Sequence, residues 1–334
     1  MEQHKSSPVA RAALAPRLLA DIGGTNARFA WQAAAGAPIE DQITLPCADH
    51  VSIEAAIRAY FERIDRPRPQ SCAIAIANPI HGDRVQMTNH HWSFSISALR
   101  QALGFDRLEL LNDFTALALA LPGLDADQLH QVGGGQALPG AAIGLLGPGT
   151  GLGVSGLVPD GRGGWTPLQG EGGHVSLAPV TPREQLVVEF LTQRHGHASA
   201  ERAVSGMGLV DIHRALCLAD GVLPPEGWSA AQVSTAALSG HDPRCVEALA
   251  MLCAFLGSVA GNLALTLGAK GGVYIGGGIV PRLGEWFDHS PFRARFEAKG
   301  RFQSYLAEIP VWVIHASQSP ALAGAAVALD QLGV

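Results

Sequence analysis

Asp113 stands in Leu111-Asn112-Asp113-Phe114-Thr115-Ala116, where an apolar run hands over to a helical pattern. Residues 108–111 read as a buried strand. Phe114, Leu117, Ala118 and Leu121 recur at i, i+3, i+4 and i+7, and Pro122-Gly123 ends the element. Site residues of an open α/β sheet gather at such strand ends. A carboxylate among apolar neighbours is costly to bury without a partner. Two readings stand at this point: Asp113 caps the helix, or it acts as a general base. Asp21 is a second candidate, placed just before Gly23-Gly24-Thr25. Beside bound phosphates it would be repelled unless a cation intervened, and Mg²⁺, which keeps most of its waters, suits that position. The alternative is a turn aspartate bonded to its own backbone.

Three glycine turns follow apolar strands: Gly23-Gly24-Thr25, residues 147–153, and Gly276-Gly277-Gly278. Glycine admits close approach of a ligand to the backbone, and successive N–H groups form an anion-binding concavity. Thr25 and Thr150 add hydroxyl donors. Each turn alone could be an unliganded hairpin; together they favour phosphate. The chain has no Gly-Lys dipeptide and no G-x-S-x-G, which excludes a Walker A loop and a hydrolase elbow.

Gly170-Glu171-Gly172-Gly173-His174 puts a carboxylate and an imidazole on one glycine-rich turn. One His and one Glu are too few ligands for a metal, but they suit a small hydroxyl-rich ligand such as a sugar. Glu201 could be a further acceptor, or an ordinary glutamate at a helix start.

The elements that carry these residues alternate in the α/β manner. Strands are expected at 17–24, 26–32, 42–45, 71–77, 83–88, 108–111, 141–146, 154–158, 272–275 and 311–314. Helices are expected at 51–66, with Ser52 near its start, at 95–103, and from Thr181-Pro182-Arg183-Glu184, a capping box with proline at the first helical position. A last helix follows Ser319-Pro320. The strand-turn-strand units at 17–32 and 141–158 look like an internal duplication.

At 334 residues, with 47% hydrophobic and 16% charged residues, the chain has room for two globular domains. Net charge is −6, and the only lysines are Lys5, Lys270 and Lys299, which excludes the basic surface of a nucleic-acid binder. The five cysteines, Cys47, Cys72, Cys217, Cys245 and Cys253, are dispersed without a C-x-x-C pair. That pattern argues for buried thiols in a reducing compartment and against a structural zinc or a disulfide framework. Residues 248–269 carry no charge and are long enough to span a membrane. Ser258, Asn262, Thr266 and interrupting glycines, without aromatic or basic flanks, point instead to a helix buried in a soluble protein. A cytoplasmic protein with no membrane partner is expected. Residues 1–16 read as a disordered extension.

The ordered set of motifs resembles the bacterial glucokinases of the hexokinase/actin-like ATPase superfamily, in the branch without the zinc-binding cysteine motif. It comprises Asp21-Ile22-Gly23-Gly24-Thr25-Asn26-Ala27-Arg28, Met87-Thr88-Asn89-His90-His91-Trp92, Asn112-Asp113-Phe114-Thr115-Ala116, Gly149-Thr150-Gly151-Leu152-Gly153, Gly170-Glu171-Gly172-Gly173-His174 and Ser199-Ala200-Glu201-Arg202. The resemblance implies an α/β, two-domain actin-like ATPase (ribonuclease H-like) fold with a cleft between the domains. Residues 17–122 plus 315–334 would form the small domain and 123–314 the large one. It implies glucose phosphorylation by ATP with Mg²⁺, Asp113 as catalytic base, and Asn112, Glu171, His174 and Glu201 on the sugar. Ala20, Asp21, Ile22, Gly23, Gly24, Thr25, Gly149, Thr150, Gly151, Gly277 and Gly278 would bind the nucleotide, with Asp21 holding the metal through water. A cytoplasmic, glycolytic homodimer is implied as well. Two departures bear on the nucleotide: Ala20 stands where a glycine is expected, and Pro148 stiffens the second turn. Alternatives are a kinase for another hexose or amino sugar, a non-catalytic sugar-binding regulator, and a polyphosphate donor.

Overall fold

The run Arg17–Ile22 forms strand β1, buried along its whole length. In the computed structural model, residues 15–88, 90–316 and 319–331 are described. Residues 1–14 of the expected N-terminal extension, and Asn89 of the Met87–Trp92 motif, lie outside them. The chain divides into two units: one runs through Leu124 and resumes at Ala316, and the other is Asp125–His315.

In the first unit β1 pairs antiparallel with β2 (Asn26–Gln32), which pairs antiparallel with β3 (Ile39–Pro46). On its other side β1 runs parallel to β4 (Ser71–Ile76), and β4 parallel to β7 (Arg107–Asn112). A small β5–β6 hairpin (Arg84–Gln86, Ser93–Ser95) lies outside that sheet. Register aligns Ile22 with Ile76 and Ile76 with Asn112. The parallel strands therefore bring the turn after Asp21 and the start of the helix at Asp113 to the same sheet edge. Helix α1 (Ile53–Phe61) is capped by Ser52, whose Oγ accepts from the Ala55 N–H at 3.1 Å. It is shorter than the expected 51–66. Arg66 is drawn to the β2–β3 hairpin, where its Nε donates to Asp41 at 2.8 Å and its guanidinium covers Trp31, and Pro67 disfavours helical backbone before it. Helix α2 (Ile96–Leu103) ends at Gly104 in the left-handed conformation.

Helix α3 (Asp113–Ala120) is backed by the C-terminal helix Pro320–Gln331. The two approach so closely that a Cβ on Gly324 would overlap the Ala116 carbonyl.

The second unit holds a six-stranded sheet, β11-β10-β9-β12-β13-β8. Its strands are β8 (Leu129–Val132), β9 (Ile143–Pro148), β10 (Leu152–Pro159), β11 (Trp165–Leu168), β12 (Val273–Ile275) and β13 (Val311–Ile314). The outer strands β8 and β11 escaped the sequence reading. One is largely polar and the other contains Pro167, as edge strands tolerate. Helices α4 (Pro182–His195), α5 (Ala200–Ala203), α6 (Gly206–Ala219), α7 (Ala230–Leu238) and α8 (Pro243–Leu267) follow β11. Both halves of the Thr181–Glu184 capping box are formed. Helix α8 contains most of the charge-free run; it is long and apolar enough to cross a membrane, and most of it is buried within this unit. Its Gly257 and Gly261 seat the carbonyls of Phe292 and Phe296 from the crossing helix Phe292–Glu297, so close helix packing accounts for these interruptions.

Gly324→Val forces a side chain into the Ala116 carbonyl and is expected to cost about 1–3 kcal/mol or more. Thermal unfolding should show a clearly lowered midpoint, whereas Gly134→Ala, where a Cβ meets open space, should shift it little.

Candidate functional site

In the first unit Asn112 is the N-cap of α3. Its Oδ1 accepts from the N–H groups of Phe114 at 2.9 Å and Thr115 at 3.3 Å. The capping reading therefore passes from Asp113 to its neighbour, and the Asn112 amide NH₂ remains as a donor. Asp113 Oδ1 also accepts from the Phe114 N–H, at 3.0 Å. Burial pushes the Asp113 carboxyl up to about 6; the Phe114 N–H opposes the rise and the charge of Asp21 adds to it.

Asp21 is buried at the end of β1. Its Oδ2 pairs with Arg28 at 3.0 Å and accepts from the Ser319 hydroxyl at 2.7 Å. A single carboxylate with one oxygen so engaged fits Mg²⁺ held through water, better than an ion stripped by several protein ligands. The following turn closes with the Gly23 N–H donating to the Asn26 carbonyl at 2.9 Å, and Thr25 is exposed. Ala20 and Ile22 are fully buried in the core, so they offer a ligand backbone alone. Sequence reasoning missed Asn78, just beyond β4 at the same edge, whose Oδ1 accepts from the N–H and hydroxyl of Thr88 at 3.0 and 2.8 Å. Its only signal was an asparagine ending an apolar strand.

In the second unit the glycine turn is narrower than the sequence suggested, because β9 runs through Pro148 and β10 starts at Leu152. The Gly149 N–H donates to the Gly151 carbonyl at 2.8 Å, and Thr150 is exposed between them. Gly277, with φ 75°, sits against the Pro148 carbonyl where a Cβ would clash, which joins the third turn to the second. Gly278 is exposed beside it.

Leu152 links this turn to the sugar candidates. Its N–H donates to Glu201 Oε2 at 3.0 Å, and the same carboxylate occupies the space a Cβ on Gly151 would need. The Leu152 carbonyl lies where a Cβ on Gly173 would fall, so the Glu171–His174 turn packs on it. Glu171 and His174 are exposed, with carboxylate and imidazole 4.0 Å apart. The segment beyond is tied to α5, the Ala200 N–H donating to the Val175 carbonyl at 2.8 Å. Glu171, His174, Glu201 and the Thr150 turn thus form one locus, and Glu201 is more than a helix-start glutamate.

Ser205 and Gly206 were also missed. The Gly206 N–H donates to the Gly149 carbonyl at 2.9 Å. From there a pocket of about 460 Å³ opens, lined by Glu201, Arg202, Ser205, Met207, Arg214 and Trp228 among others. Ser205 caps α6, accepting from the Gly208 N–H at 3.1 Å.

Comparison with known proteins bears on what this arrangement does. The glucokinase family model matches residues 18–332. The chain is 57% identical over 314 residues to a glucokinase from Chromobacterium violaceum, covering 94% of this chain and 89% of that one. It is 56% identical over 317 residues to a glucokinase from Aromatoleum aromaticum, covering 94% and 95%. The crystal structure of a glucokinase from an Antarctic psychrotroph superimposes with a TM-score of 0.86 at 39% identity, covering 95% of this chain and 99% of that one. The expected α/β actin-like ATPase fold is the fold observed.

The raised Asp113 pKa has a stability consequence. The folded value of about 6 exceeds the unfolded reference of 3.8, so the ionised carboxylate costs stability above the folded pKa, and the cost disappears below the unfolded one. Asp113→Asn should therefore raise the unfolding midpoint at pH 7, by an effect of at most about 3 kcal/mol. The advantage should shrink as pH falls through 6 towards 4; urea or thermal unfolding across that range measures it.

Proposed function

The chain belongs to the glucokinase family, hexose kinases that phosphorylate glucose with ATP, and we propose that Asp113 is the base of that transfer. It accepts the proton of the sugar 6-hydroxyl as that oxygen attacks the γ-phosphorus, giving glucose 6-phosphate and ADP. The observation that carries this reading is a half-buried carboxylate with a pKa of about 6, beside an asparagine that already caps the helix. A base works best with a pKa near the operating pH.

Glu171, His174, Glu201 and the Asn112 amide hold the remaining hydroxyls and leave the 6-hydroxyl as the reacting group. Glu201 Oε2 is engaged by Leu152, so Oε1 is its sugar-facing acceptor. Residues 23–25 and 149–151 offer N–H and hydroxyl donors to the phosphates. Gly277 and Gly278 lie towards the nucleoside, and the pocket beyond Gly206, with Trp228 and Met207 in its wall, is suited to its flat aromatic base. Mg²⁺ held through water by Asp21 neutralises phosphate charge. Phosphoryl transfer depends chiefly on positioning and charge stabilisation, and this arrangement supports both. The family likeness further supports a cytoplasmic, glycolytic homodimer.

Asp113→Asn should lower turnover by about 10²–10⁴-fold, the usual contribution of a general base, with the KM for glucose changing far less. A loss under about tenfold in a steady-state assay contradicts the assignment. Turnover compared across glucose, mannose, fructose and N-acetylmannosamine then gives the breadth of specificity; a faster amino sugar or second hexose would displace glucose as the principal substrate.

A further inference from the structure

Cys217 and Cys245 are far apart in the chain, and their spacing argued against a structural zinc. Helices α6 and α8 nevertheless bring them to one place. On α6, His213 and Cys217 are i and i+4 and share a face, with Cys217 Sγ 3.5 Å from His213 Nε2. At the start of α8, Asp242 is the N-cap and Cys245 lies in the first turn. Ligand atoms of His213, Asp242 and Cys245 all lie within 4.8 Å of one another. His213, Cys217 and Cys245 are buried, and Asp242 is partly exposed.

We propose that His213, Asp242 and Cys245 hold a zinc-like divalent ion and that Cys217, which packs on His213 but lies outside that 4.8 Å set, turns in to complete a tetrahedron. Bond lengths of about 2.3 Å to sulfur and 2.0–2.1 Å to nitrogen put such ligand atoms about 3.6 Å apart, close to the Cys217–His213 separation. Two thiolates and a carboxylate around a dication leave one negative charge, and Arg244 stands beside the cluster to balance it. Its Nε is 3.8 Å from Asp242 Oδ1 and is buried with no hydrogen-bond partner. The ion enters past Asp242. Binding breaks two S–H bonds, forms two metal–sulfur bonds and releases two protons to solvent, with no change of oxidation state. His213 stacks on Trp228, rings 5.5 Å apart and 8° from parallel, so the bound ion also fixes a wall of the pocket beyond Gly206. The site is independent of the phosphoryl-transfer assignment.

The full-length protein, stripped with a chelator, is titrated with Zn²⁺ against a chromophoric competitor and with Co²⁺ by absorption spectroscopy. The expected result is one equivalent per chain, a thiolate-to-cobalt charge-transfer band and tetrahedral visible bands. Cys217→Ser and Cys245→Ser should each weaken zinc binding by about a hundredfold or more. X-ray absorption of the zinc-loaded wild type should show two sulfur ligands, a readout that survives misfolding of the variants. Absence of stoichiometric binding, a cobalt spectrum without the thiolate band, or a Cys217–Cys245 disulfide forming in air with zinc present overturns the proposal.

Discussion

The cap that Asn112 places on helix α3 is the interaction on which the setting of Asp113 depends. The first N–H groups of a helix need acceptors, and a single asparagine oxygen serves two of them. Asp113 can then remain at the first helical position with its carboxyl raised by burial and by the charge of Asp21. The register of β1, β4 and β7 sets Asp21, Asn78 and Asn112 at one sheet edge. The crossing at Gly324 fixes α3 from behind. A half-buried carboxylate is thus held in place by ordinary sheet and helix packing.

In the second unit Leu152 has the corresponding place. Its N–H engages Glu201 and its carbonyl seats Gly173, so one backbone residue spaces the Thr150 turn from the Glu171–His174 turn. The glycines at 151, 173 and 277 are required by close approach of other groups. The glycine content that suggested ligand binding therefore has a structural cause of its own at these positions.

Local signals were legible wherever the chemistry was local. The strand-to-helix junction at Asp113, the Thr181 capping box and the burial of α8 all follow from residues adjacent in the chain. Edge strands β8 and β11 carry little apolar periodicity and are ordered by their neighbours, so they left no trace. The end of α1 depends on Arg66 reaching Asp41, a long-range ion pair. Glu201 read as ambiguous because its partner, Leu152, is distant in sequence. The cysteines show the same limit: their spacing carries no metal-ligand motif, while helix packing brings His213, Asp242 and Cys245 within 4.8 Å of one another, with Cys217 beside His213.

The central claim is that the Asp113 carboxylate takes the proton of the sugar hydroxyl, and single-turnover phosphoryl transfer as a function of pH tests it most directly. The wild type should lose rate below a pH of about 6, where Asp113 becomes protonated, and the slow residual transfer of Asp113→Asn should have no such acid limb. An acid limb at the same pH in the Asn variant would assign the titration to another group and contradict the account.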